Sequence, residues 1–176
     1  FAATGPVPIP DNNPAGATLN IPVAGLAGPI GKVTVSLRIT HTFNGDIAIS
    51  LYSPDNTQVV LSQNRGGSGD NFGADCPASA NDTTFDDAAA TAIAAGAAPF
   101  IGSFRPQQPL VAFAGKAPAV VNGNWSFEVA DLGAGAGKFC MVGAAVTGAR
   151  FTGIERRAGL VAEASRLARA MELDRA

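Results

Sequence analysis

The stretch that decides the fold is residues 33–61, which read VTVSLRITHTFNGDIAISLYSPDNTQVVL. Apolar residues alternate with polar or small ones in three runs of this stretch, at 33–39, 47–51 and 58–61. A two-residue period is typical of strands that bury one face. Residues 53–56, Ser-Pro-Asp-Asn, have the composition of a turn. The stretch therefore predicts three consecutive strands at hairpin spacing.

The same alternation recurs on both sides of this stretch. Leu19, Ile21 and Val23 alternate before it, and the run NWSFEVAD at residues 124–131 alternates after it. Many short strands separated by Gly and Pro predict an all-β fold, a jelly-roll-like β-sandwich. Its core is expected to hold the larger aromatic residues Phe72, Phe100, Phe104, Phe113, Trp125 and Phe127.

The remaining segments set the domain boundaries. The four prolines in residues 1–16 predict an extended linker that closes on a turn, so we place a linker at 1–10 and the β domain at 11–150. Residues 63–87 form a long polar loop, and Ala88–Ala95 has the composition of a short helix. Residues 151–176 have apolar residues at helical spacing and predict an appended C-terminal helix.

The composition bounds the class of function. Of the 176 residues, 47% are hydrophobic and 15% are charged, which is enough to build one core of ordinary size. A formal net charge of −2 gives no electrostatic basis for binding nucleic acid or an anionic membrane. Residues 1–150 contain nine Asp but a single Glu, Glu128. An Asp-rich body suits an extracellular protein that meets calcium, because carboxylate oxygen is a hard ligand.

Six segments, in order along the chain, carry a resemblance to one family. They are HTFNGDI at 41–47, LYSPDNT at 51–57, GDNF at 69–72, TFDD at 84–87, FRPQQPLVAFAG at 104–115 and NGNWSFEVAD at 122–131. Taken together they resemble the P domain, also called the P/Homo B domain, of subtilisin-like proprotein convertases and related bacterial secreted proteases. The resemblance covers roughly residues 7–140 of this chain.

The resemblance implies a function as well as a fold. A P domain is a non-catalytic accessory domain that packs on the subtilisin-like catalytic domain of the same secreted chain and stabilises it. We therefore expect this chain not to be an enzyme, and its parent protein to be a serine-type endopeptidase. The alternative is a free-standing extracellular binding or adhesion module, since β-sandwiches host such functions widely.

The resemblance also implies bound calcium. Calcium takes oxygen ligands from carboxylates, amides and backbone carbonyls, and the expected ligands are Asp46, Asp70, Asn71, Asp86 and Asp87. An alternative for Asp86 and Asp87 is that they cap a short helix beginning near Ala88, where a carboxylate is favourable.

His41 is the single histidine of the chain. A hydrolase would need it beside a serine and an orienting acid in a cleft. Because His41 follows an alternating strand and no Gly-x-Ser-x-Gly motif is present, we expect a structural role. Cys76 and Cys140 are the two cysteines, and in an exported protein they form a possible disulfide; two unpaired thiols are the alternative.

The chain departs from the family after Asp131. The family ends with a strand of the form GTLxxWxLxL, whereas residues 137–142 here read GKFCMV. Codons for Met141-Val142 give TGG, a Trp codon, when read one base later. We hypothesise that the chain beyond about residue 136 is frame-shifted relative to its relatives; encoding DNA whose shifted frame has no strand-like continuation would refute this.

Overall fold

The structure is a computed structural model that describes residues 1–3, 6–11, 13–74 and 81–133. Its strands are β1 (Asn13–Val23), β2 (Val35–Leu37), β3 (Ile47–Tyr52), β4 (Gln58–Gln63), β5 (Thr83–Phe85), β6 (Thr91–Ala92), β7 (Gly102–Arg105) and β8 (Gly123–Asp131). Sheet A has the strand order β1-β8-β3-β4, and sheet B has the order β2-β5-β7-β6. The prediction of an all-β sandwich is confirmed.

The helical elements of the described residues are short. One α-helical turn, α1, spans Pro118–Val121, and 3₁₀ turns occupy Asn44–Asp46, Ile93–Ala95 and Leu110–Phe113. Within the described part of the chain, no helix has the length and apolar composition needed to cross a membrane. The C-terminal helix expected at 151–176 lies outside the described residues.

The core lies between the inner faces of the two sheets. Alternate residues of β3 and β8 are buried as their period predicts; Ile47 and Ile49, for example, are 0% exposed. All six aromatic residues expected in the core are buried. The Phe72 and Phe100 rings stack with centroids 4.8 Å apart, and the Phe113 ring lies 4.9 Å from that of Trp125. These stacked and tilted arrangements add to the energy of burying apolar area.

The three strands of residues 33–61 do not form one sheet. The hairpin of β3 and β4 is confirmed, because the two strands pair antiparallel around the turn at 53–57. β2, however, pairs with β5 in sheet B. Residues 38–46 therefore carry the chain from one sheet to the other, and we call them the crossing segment. Alternation fixes which face of a strand is buried but not which sheet the strand joins.

The prediction of a short helix at Ala88–Ala95 was wrong. The chain instead makes a turn, adds the two-residue strand β6 and ends in a 3₁₀ turn. The Arg105 guanidinium donates hydrogen bonds to the carbonyl oxygens of Ala89 and Ala90, both at 2.7 Å. β6 also pairs in parallel with β7. These tertiary contacts override the modest helix propensity of alanine.

The first strand begins inside the proline-containing segment of residues 1–16, after the linker placed at 1–10. β1 begins at Asn13 and pairs with β8 along its whole length, with a bulge between Asn13 and Ala17. Gly16 lies in this bulge with φ of +59°, and a Cβ there would overlap the carbonyl oxygen of Val129 and lie 2.8 Å from the Ala130 Cα. Only glycine fits such a backbone conformation and so close an approach.

Replacing Gly16 by alanine is expected to destabilise the domain strongly. A left-handed conformation costs a non-glycine residue about 1–2 kcal/mol, and the overlap with β8 adds to this cost. Gly25→Ala is the matched control, since Gly25 has φ of +79° but a Cβ added there would meet nothing within 4 Å. Urea unfolding should show a clearly larger loss for Gly16→Ala; equal losses would contradict the close packing of the bulge.

Candidate functional site

The structure divides the five predicted calcium ligands into two groups. Asp46, Asp70 and Asn71 lie where the crossing segment meets residues 64–74, which we call the glycine-rich loop. Asp86 and Asp87 lie beside other partners, between the strands β5 and β6. Among the described residues, no three or more His, Cys, Asp or Glu side chains converge on one point. Cys76 and Cys140 lie outside the described residues.

Backbone hydrogen bonds fasten the glycine-rich loop to the crossing segment. Ile39 and Phe72 exchange two bonds of 2.9 Å each. The Asn44 amide donates to the Gly69 carbonyl at 2.9 Å, and the Gly45 amide donates to the Gly67 carbonyl at 2.8 Å. This ladder of main-chain bonds holds a loop that has almost no apolar side chains of its own. We call the two joined segments the clamp.

Asparagine side chains complete the clamp. Asn71 takes up a φ of +67°, its amide donates to the His41 carbonyl, and its Oδ1 accepts from the His41 amide; both bonds are 2.9 Å long. Asn64, with φ of +54°, donates from Nδ2 to the Gly45 carbonyl at 2.8 Å. Asparagine tolerates the left-handed region and mimics backbone groups, so it suits both positions.

Asn44 is the residue of the clamp that sequence reasoning missed. It is 0% exposed, and its Nδ2 donates to the Asn71 carbonyl at 2.5 Å. Its Oδ1 is buried and has no hydrogen-bond partner among the described residues. A buried acceptor without a partner costs about 1–3 kcal/mol. The HTFNGDI motif contains this asparagine, but the motif does not reveal that the side chain is buried.

His41 joins the crossing segment to the last described strand. Its Nε2 lies 3.3 Å from Oδ2 of Asp131, which is 3% exposed, and the Phe43 amide donates to its Nδ1 at 3.2 Å. Its Nδ1 also lies 3.1 Å from the Phe43 carbonyl oxygen, so one ring nitrogen contacts a carboxylate and the other contacts the backbone of Phe43. The hydrogen bonds described for this ring go to a carboxylate and a backbone group rather than to a serine. The pair ties the crossing segment to the end of β8.

Asp86 holds a turn and Asp87 caps a 3₁₀ turn, and neither caps the helix that was considered. The Asp86 carboxylate lies 2.8 Å from Lys32 Nζ and accepts from the Ala88 amide at 2.8 Å; the lysine contact, followed by the amide, lowers the pKa of Asp86. Asp87 accepts from the amides of Leu110 and Val111 at 2.9 and 2.7 Å. It therefore caps the 3₁₀ turn Leu110–Phe113 from across the fold.

A third set of contacts holds the turn at residues 53–57. Asp55 accepts from the Ser53 hydroxyl at 2.5 Å and forms an ion pair with Lys116, whose ammonium also donates to Thr57 Oγ1 at 2.6 Å. The Lys116 and Ser53 bonds hold the pKa of Asp55 far below its usual range.

The segments that carried the family resemblance contact one another in the fold. HTFNGDI contacts GDNF and NGNWSFEVAD, and TFDD contacts FRPQQPLVAFAG.

Comparison with known proteins agrees with this pattern. Residues 30–139, more than half of the chain, match the family model of the proprotein convertase P-domain. The chain is 38% identical over 73 residues to leupeptin-inactivating enzyme 1 of Streptomyces exfoliatus. That match covers 41% of this chain and 17% of the Streptomyces protein, so the chain spans less than a fifth of this relative. No solved structure matches the chain.

Proposed function

The chain belongs to the proprotein convertase P-domain family, and we propose that it is a non-catalytic accessory domain that packs on a secreted subtilisin-like serine protease domain and stabilises it. The family match over residues 30–139 carries this proposal. The Streptomyces relative supports it, because a protein named as an enzyme contains a similar segment that is only 17% of its length. A segment of that size fits an appendage to a larger catalytic unit.

An exposed apolar surface supports docking on another domain. It comprises residues 111–120, in which Val111 is 64% and Val120 43% exposed and four alanines are exposed beside them. Lys116 is the one charged residue of the segment, and Asp55 neutralises it. Contiguous exposed apolar residues mark protein interaction sites. A neutral, apolar surface favours docking on another domain over the free-standing binding or adhesion module considered as the alternative, and we assign it to the catalytic domain.

Docking of this kind stabilises by mass action. A partner that binds only the folded form of a domain shifts its unfolding equilibrium toward the folded state. Two domains in one chain meet at an effective concentration on the order of millimolar. Even a weak contact through residues 111–120 would therefore remain formed, and the catalytic domain would unfold at a higher temperature with this domain attached.

The substitution Val111→Asp tests the docking surface in the full-length parent protein. We expect the midpoint of thermal unfolding of the catalytic domain to fall, because a charge buried at the contact is costly. The isolated β domain should change by less than about 0.5 kcal/mol, as is usual for an exposed position. Val7→Asp is the matched control, since Val7 is 40% exposed in a different part of the chain. A catalytic domain equally stable in both variants would contradict docking through this surface.

We also propose that the clamp binds one calcium ion. The orphaned Oδ1 of Asn44 is the observation that fits a cation, because an amide oxygen is a calcium ligand and a bound ion would satisfy it. Asp70, which is exposed in the glycine-rich loop, and Asp46 of the crossing segment are the carboxylates of the clamp. Carbonyl oxygens of the loop supply further ligands. The ion would cross-link two segments that are otherwise joined by main-chain and asparagine hydrogen bonds.

Asp86 and Asp87 are excluded from this proposed site. Their carboxylates already bind Lys32 and backbone amides on another part of the fold. A direct hydrogen bond from Arg65 Nε to Asn44 Oδ1 is the alternative to a bound cation. Both atoms are buried, and neither has a hydrogen-bond partner among the described residues. Such a bond would leave no role for a cation at Asn44.

Thermal unfolding with calcium and with excess chelator distinguishes these arrangements. Calcium at a hundredfold excess over its Kd should stabilise the domain by about 2.7 kcal/mol, which raises Tm by about 5–10 °C for a domain of this size. Magnesium should not replace it. Asp70→Asn should abolish the calcium-dependent rise in Tm, and Asp87→Asn should keep it. A Tm that chelator leaves unchanged, or a rise that Asp87→Asn abolishes and Asp70→Asn keeps, would refute the site.

A further inference from the structure

The outer face of sheet A carries a groove that the proposed function does not use. Its volume is about 200 Å³, and it lies over the outward positions of three neighbouring strands. Ala48, Ser50 and Tyr52 of β3 form the middle, and the complete lining is Pro14, Ala48, Ser50, Tyr52, Gln58, Val60, Gln63, Glu128, Ala130 and Leu132. Small side chains on the central strands leave a depression, while longer ones stand around it.

The groove has one ionisable acid and no base. Its lining contains Glu128 but no Lys, Arg or His. Glu128 is the single Glu of residues 1–150, and it lies on β8 in the interior of the sheet rather than at an edge. In the described part of the chain, its carboxylate forms no ion pair. The ion pairs described in this domain all use Asp, so Glu128 differs from those acids in its surroundings.

Tyr52 and Ser50 surround this carboxylate. The strand register places Ser50 directly opposite Glu128, and Tyr52 is its diagonal neighbour, opposite Ser126. Burial first, and then the charge of Glu128 and hydrogen bonding with it, raise the pKa of Tyr52. All three side chains are half-buried. A half-buried carboxylate with only hydroxyl neighbours favours a cation from outside.

The dimensions and the remaining lining residues indicate the form of that cation. Pockets for drug-sized ligands span about 300–1,000 Å³, so this groove suits one long side chain. Ala48, Val60 and Ala130 offer apolar contact to a methylene stem, as long basic side chains require. Gln58 and Gln63 lie at the two ends of β4. Gln58 Nε2 donates to Ser50 Oγ at 3.3 Å, which leaves its amide oxygen, together with the Gln63 amide, to bond to peptide groups on either side of such a residue.

We propose that this groove binds an arginine side chain of an extended polypeptide segment, with the guanidinium on Glu128. The guanidinium donates to both carboxylate oxygens, and its remaining N–H groups face the Ser50 and Tyr52 oxygens. Gln58 and Gln63 form hydrogen bonds with the main chain of the segment. A small cation without peptide groups cannot form these bonds. This site does not depend on the accessory role or on the calcium site, so an experiment can refute it without refuting either of them.

A titration followed by ¹⁵N–¹H NMR tests the proposal. The probe is the blocked tripeptide acetyl-Ala-Arg-Ala-amide, and shifts are expected at the amides of Ser50, Tyr52 and Glu128. Glu128→Gln should weaken binding by about tenfold, because a charge-assisted pair is lost. Asp86→Asn, which removes an acid next to β5 of sheet B, should leave the affinity unchanged. The spectrum of each variant also reports whether it is folded.

Two further ligands separate the parts of the proposal. Acetyl-Ala-Gln-Ala-amide should bind at least tenfold more weakly than the arginine peptide, and methylguanidinium should also bind more weakly. Equal binding of the glutamine peptide, or an unchanged affinity in Glu128→Gln, would overturn the role of the charge. Methylguanidinium binding as tightly as the peptide would overturn the polypeptide as the occupant.

Discussion

The hydrogen-bonded clamp between the crossing segment and the glycine-rich loop is the constraint on which the sandwich depends. Residues 38–46 leave sheet B and enter sheet A, so any slip between them and the loop would shift β3 relative to β5. The Ile39–Phe72 bridge, the Asn44–Gly69 bond and the Gly45–Gly67 bond fix this crossing with main-chain groups. Main-chain bonds suit the task because the loop contributes few apolar contacts beyond Phe72, whose side chain is fully buried.

Aspartate is used inside this domain as a connector more than as a surface charge. Asp131 contacts His41 beneath the clamp, Asp87 holds the turn before Phe113, and Asp55 holds Lys116. Each carboxylate joins segments far apart in sequence. Because Asp55 pairs with Lys116, the surface at 111–120 is left apolar and neutral. Glu128, on the outer face of sheet A, has no basic partner among the described residues.

The alternating runs predicted most strands, since burial of one face leaves a two-residue period in β3, β4 and β8. The same period could not assign β2 to sheet B, because partner choice depends on the distant strand β5. It could not foresee Gly16 in a bulge, or β6 where alanine favoured a helix, because contacts with β8 and Arg105 decide both. The family resemblance grouped the five expected calcium ligands as one set, and the long polar loop expected at 63–87 contains strand β5, which separates Asp86 and Asp87 from the others. Only the register across β3 and β8 brings Tyr52 to Glu128, and only packing buries Asn44.

Native-state hydrogen exchange tests most directly whether the clamp belongs to the cooperative fold. Exchange free energies range from near zero in mobile loops up to the free energy of global unfolding in core strands. The amides of Asn44, Gly45 and Asn71 should exchange with free energies within about 1 kcal/mol of those of Ile49 and Val129, deep in sheet A. If the clamp amides instead exchange through local opening at a small fraction of that free energy, the clamp is an ordinary surface loop, and the sandwich does not depend on it.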